Sequence, residues 1–104
     1  MQKFQIEFPD FDPKTMPDIP RDWRDASWHN DSCPSFNARN GKIVFIDYAN
    51  DADREHPGSE RFSVHSDPEI DDANDVLFVS DDWLAILDFV GESETSLDSQ
   101  IKQV

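Results

Sequence analysis

Alternating apolar and polar positions open the chain. Phe4, Ile6 and Phe8 are separated by Gln5 and Glu7, the period of a half-buried strand. Pro9 and Pro13 close this stretch. With Pro17 and Pro20 they hold residues 9–22 extended or turning, because each ring fixes φ and biases the preceding residue away from helix. Trp23 and Trp28 follow in an irregular segment rich in Asp, Asn and Ser.

A hairpin comes next. Asn40-Gly41 lies between the strand-like runs 35–39 and 42–48, and both central positions of a type I′ turn need φ > 0, which this dipeptide tolerates. In the second run Ile43 and Phe45 point one way while Val44, Ile46 and Tyr48 point the other. Both faces are apolar, which predicts a central strand covered on each side. A polar loop over 49–59 leads to Arg61-Phe62-Ser63-Val64-His65, a strand with one buried face. An acidic loop over 66–75 then leads to the short apolar strand Val76-Leu77-Phe78-Val79.

The last pattern is helical. Trp83, Ile86, Leu87 and Val90 fall at i, i+3, i+4 and i+7, an apolar stripe that predicts an amphipathic helix over 81–90. Ser80 is suited to cap its start, Asp81 and Asp82 suit the positive end of its dipole, and Gly91 stands where a left-handed cap is expected. The chain therefore reads as an α+β domain over 1–91. Its antiparallel, meander-like sheet has four to five strands, with the C-terminal helix packed on one face. Residues 92–104 are polar, with Leu97, Ile101 and Val104 at helical spacing, and read as a tail or frayed helix.

Composition supports a folded chain of one domain's length. Only 37% of the 104 residues are hydrophobic, but eight Phe and three Trp concentrate that area in large rings, which a disordered acidic segment would lack. Cys33 is the single cysteine, so no internal disulfide can form. No apolar run resembles a signal peptide or a membrane span. The expected location is the cytoplasm, that of an infected host included.

Charge changes the picture most. The net charge is −14, from 23 acids, 17 of them Asp, against nine bases. Residues 1–66 hold 12 acids and eight bases, whereas residues 67–104 hold 11 acids and only Lys102. Such a field repels nucleic acid and anionic membranes and speeds encounter with basic surfaces.

Candidate chemistry is sparse. Cys33 and His29 are four residues apart, but nothing nearby in sequence activates the thiol or orients a base. His29, Cys33, His56 and His65 lack the paired spacing of a zinc site. The run from Asp51 begins like a calcium loop, yet His56 stands at its sixth position and Phe62 at its twelfth, where Gly and Glu are required. The three glycines, Gly41, Gly58 and Gly91, are each accounted for by a turn or a cap, which leaves no phosphate-cradling loop. No enzyme signature, cofactor or metal site is expected, and no family signature is identified.

The acidic surface remains. Asp67, Glu69, Asp71, Asp72, Asp75, Asp81 and Asp82 flank the strand 76–79 with no base among them, and Asp88 extends the region along the helix. Duplex DNA carries one negative charge per roughly 1.7 Å of axis, a density that one-sided carboxylates can imitate. These residues, with Trp28 as an aromatic anchor, are the expected partner-binding set. The expected partner is a basic protein, a nuclease or nucleic-acid-binding complex, inhibited without catalysis. Anti-CRISPR, anti-restriction and toxin-immunity proteins are the analogues in size and charge, with no motif in common. The alternative is a constitutive structural or regulatory subunit whose acidity serves only solubility or adaptation to high salt.

Overall fold

A computed structural model describes residues 2–39, 41–66 and 76–91. The predicted tail over 92–104 and five of the predicted acidic positions, Asp67, Glu69, Asp71, Asp72 and Asp75, lie outside the described residues. The architecture is α+β. Helix α1 (Lys3–Glu7) is followed by β1 (Arg24–Asp25), β2 (Ser35–Asn37), β3 (Lys42–Ile46), β4 (Phe62–Ser66), β5 (Val76–Ser80) and helix α2 (Trp83–Val90). The strands form one antiparallel meander in the order β1-β2-β3-β4-β5.

The first predicted strand is a helix. Phe4 and Phe8 are both buried four residues apart, while Ile6 is 61% exposed, which suits one helical face and not an alternating strand. Two devices satisfy the start of α1. The backbone N–H of Phe4 donates to the Asp25 carboxylate at 2.8 Å, and that of Gln2 to Oε1 of Gln5 at 2.8 Å. The sheet's first strand instead comes from Arg24 and Asp25, inside the segment expected to be irregular.

A hairpin forms at the predicted place. Its register puts Asn37 opposite Ile43 and leaves residues 39–41 as a three-residue loop, not the two-residue loop of a type I′ turn. Gly41 sits at φ +69°, and β2 and β3 pair through Ser35–Phe45, Phe36–Val44 and Asn37–Ile43. Register across the sheet then sorts side chains into two faces. One carries the rows Phe36–Val44–Val64–Phe78 and Ile46–Phe62–Ser80, and α2 and the N-terminal aromatics pack on it. Val44, Ile46, Val64 and Ile86 have no exposed surface there, and each buried aliphatic of this size contributes roughly 1.5–3 kcal/mol. Trp23 joins this core edge-on to Trp83, with ring centroids 5.8 Å apart. The opposite face carries Asn37–Ile43–His65–Val76 and Ser35–Phe45–Ser63–Val79. The two-faced apolar pattern of β3 predicted a cover on this side as well. Among the described residues Ile43 and Phe45 are instead only half-buried, and Phe45 lines a cavity of about 370 Å³.

Helix α2 starts two residues later than predicted. Asp82, not Ser80, is its N-cap, with Oδ1 accepting from the Leu84 N–H at 3.0 Å. Ser80 belongs to β5 opposite Phe62, and its hydroxyl accepts from the Asp82 N–H at 2.9 Å. Gly91 ends the helix at φ +92°, as expected. No helix among the described residues is long and apolar enough to cross a membrane.

Candidate docking edge

Strand β5 is the last in the sheet order and pairs only with β4 among the described residues. Its residues Val-Leu-Phe-Val-Ser contain no charge and no proline. Val76 is 58% exposed, Leu77 43% and Val79 41%, unusual values for large apolar side chains clustered on one strand. Phe78 points inward and stacks on Phe89 of α2, with centroids 4.8 Å apart and planes 6° from parallel. Such a pair adds about 0.5–1.5 kcal/mol beyond its buried area. Phe89 is itself exposed, so it continues the apolar surface from the strand onto the helix. The register slips by one between Val64 and His65, leaving Leu77 without a partner on β4 and Phe78, Val79 and Ser80 in regular pairing.

Two predicted acids stand at the end of this strand, and each also has a structural task. Oδ1 of Asp81 accepts from the Arg61 N–H at 2.8 Å, which closes the entrance to β4. Oδ1 of Asp82 caps α2. A carboxylate has two oxygens and room for several donors, so both remain able to meet a partner from their exposed sides. Asp88 is exposed on α2. Trp28 is 52% exposed but stands on a different segment. It neighbours His29, whose N–H and Nδ1 both engage Oε1 of Glu7 at 2.8 Å. Those hydrogen bonds hold the Glu7 carboxyl below the usual range. The described members of the predicted set therefore divide between the β5 end, the α2 surface and a separate aromatic position.

The cavity on the open face is lined by Cys33, Phe45, Asp47, Arg61, Ser63 and His65, among others. Burial pushes the Cys33 thiol up to about 12, and the nearby Asp47 carboxylate adds to the shift, so the sulfur stays protonated and weakly nucleophilic at neutral pH. His29, the base weighed for it, is engaged by Glu7 instead. The Ser63 hydroxyl lies 3.0 Å from Nε2 of His65, whose pKa burial lowers. The imidazole packs edge-on against Phe45, and among the described residues no carboxylate hydrogen-bonds it, so the pair lacks the orienting third member of a nucleophilic triad. Arg61 is spent on structure: Nε donates to the Asp47 carbonyl at 2.9 Å and Nη2 to the Thr15 carbonyl at 2.8 Å.

The loop that begins like a calcium site is stapled internally. Oδ1 of Asp51 accepts from the Gly58 N–H, and Arg54 donates to the carbonyls of Tyr48, Ala49 and Ser59. Among the described residues no three His, Cys, Asp or Glu side chains converge in a metal-holding arrangement.

Sequence reasoning placed Asp81 and Asp82 beside β5 but did not find the exposed apolar edge that precedes them. The signal was present, because the last strand of a meander is an edge by topology. Comparison of the chain with protein-family models, curated proteins and solved structures finds no match, so the site is read from its own geometry.

Proposed function

We propose that this chain is a small acidic binding protein that occupies a basic surface of a nucleic-acid-handling protein, such as a nuclease, and inhibits it without catalysis. One observation carries the reading. The part of the chain holding the exposed apolar edge, residues 67–104, has 11 acids against one base. An apolar centre flanked by one sign of charge is the composition of a surface that meets an oppositely charged partner, with steering by the field and affinity from the centre. Direct binding to DNA or RNA is opposed by the same field. Imitation of a nucleic-acid backbone, as in anti-CRISPR or anti-restriction inhibitors, is the sharpest form of this reading.

Capture from lysate at about 50 mM and about 500 mM salt, a range over which exposed charges become strongly screened, tests it. The expected outcome is a nucleic-acid-binding protein retained at the lower salt and shed at the higher. A second reading is favoured by the exposed side chains of Val76, Leu77, Val79 and Phe89. In it the chain is a constitutive subunit held by an apolar interface, its acidity serving solubility alone. A partner retained equally at both salts would select that reading.

A further inference from the structure

We infer that β5 is a strand-addition site, and that its occupant is an extended segment of a basic partner, apolar at its centre and carrying lysine or arginine at its ends. The inference rests on the basic-partner reading and adds how that partner is held. A strand with one neighbour leaves alternate N–H and C=O groups pointing outward, a template for a further strand. Folded proteins ordinarily guard such an edge with a lysine, a proline, an inward charge or a very short strand. Val76–Ser80 has none of these; the one guarding device it carries is the bulge at Leu77, which leaves Phe78–Ser80 in regular pairing.

The geometry also limits the length of the occupant. The slip at Leu77 leaves Phe78–Ser80 as the regular run, which suits one short segment and discourages open-ended stacking. Side chains of an added strand would alternate between two apolar floors. One continues the row Phe45–Ser63–Val79 on the open face, and the other meets the stacked pair Phe78 and Phe89.

Charge decides the chemistry of the occupant. Asp81 and Asp82 follow the strand directly, and Asp75 precedes it in sequence. Pairing with a second copy would bring together two molecules that each carry −14, which opposes it. A segment with a basic end instead meets Asp81 and Asp82 as an opposite charge.

The test uses the full chain and the synthetic peptide acetyl-Lys-Arg-Val-Thr-Val-Arg-Lys-amide. Two analogues accompany it: one with its three central amides N-methylated, and one with Glu in place of every Lys and Arg. Strand addition predicts binding of the parent peptide, a loss of at least tenfold on N-methylation at unchanged charge, and a similar loss for the acidic analogue. Equal binding of the N-methylated peptide would overturn the strand pairing and leave the basic-partner reading standing. Equal binding of the acidic analogue would overturn the basic occupant while leaving an edge that pairs. Concentration-dependent dimerisation abolished by Leu77→Lys would assign the edge to a second copy and overturn the proposal, as would failure of the parent peptide to bind at low salt.

Discussion

The two edges of the sheet are built on opposite principles. At one end β1 is two residues long, and both are charged. Its Asp25 carboxylate takes the N–H groups of Phe4 and Ser27 at 2.8 and 3.0 Å, so the edge is short, charged and tied to the N-terminal helix. At the other end β5 runs five residues, carries no charge and exposes three large apolar side chains. The net charge of −14 leaves β5 itself without a charged guard; among the described acids, Asp81 and Asp82 follow its C-terminal end.

Removing the support under one edge gives the largest expected effect. Ile86 is fully buried on α2, which packs on β4 and β5. Ile86→Ala should lower stability by about 3 kcal/mol, within the usual range for a buried aliphatic truncated to Ala. A denaturant titration measures this, and β5 amides should gain in exchange rate before those of β1. Equal acceleration at both edges would show that the sheet opens as one unit.

Guarding the open edge should abolish its difference from β1. Leu77→Lys with Val79→Lys places cations at exposed positions, so stability should change by no more than about 0.5 kcal/mol. Affinity for the basic peptide should fall more than tenfold, equivalent to about 1.4 kcal/mol. The converse change at β1 should do the opposite. Asp25→Ala leaves two N–H groups without their acceptor and should cost about 1–2 kcal/mol of stability, with peptide affinity unchanged by titration calorimetry.

The smallest effect is in pH. His65 lies on the row that ends at Val76, and burial lowers its pKa below that of the unfolded chain. Unfolding then takes up a proton as pH falls below about 6.5. Stability should therefore decline from that pH down to the folded value and be flat above it. His65→Gln should remove this part of the decline, read as the difference between the two proteins' denaturant midpoints at pH 8 and pH 5.5.

What was legible in the sequence was local. The stripe Trp83–Val90, the Gly91 cap, the Asn-Gly hairpin and the alternation of β4 each follow from periodicity or turn chemistry within a few residues. What failed depended on distant partners. Phe4 and Phe8 satisfy a strand's period and a helix's at once, and the Asp25 carboxylate receiving the Phe4 N–H, 21 residues away, supports the helix. Arg24 and Asp25 have no strand pattern of their own and become β1 by pairing with Asn37 and Phe36. Ser80 and Asp82 are both good caps, and Asp82 takes the role because Ser80 is held in the ladder opposite Phe62. For the site, the charge asymmetry and the positions of Asp81 and Asp82 were readable. The exposure of Val76, Leu77 and Val79 was signalled only by the place of β5 at the end of the meander, since an apolar run by itself looks the same in a buried strand and an open edge.

Backbone amide exchange of the full chain, with and without the Lys-Arg-Val-Thr-Val-Arg-Lys peptide at low salt, tests the central claim most directly. Strand addition predicts added protection within Val76–Ser80 and none at Arg24–Asp25. Unchanged exchange in β5 with protection gathered around Trp28 would contradict it and move the docking site to the aromatic segment.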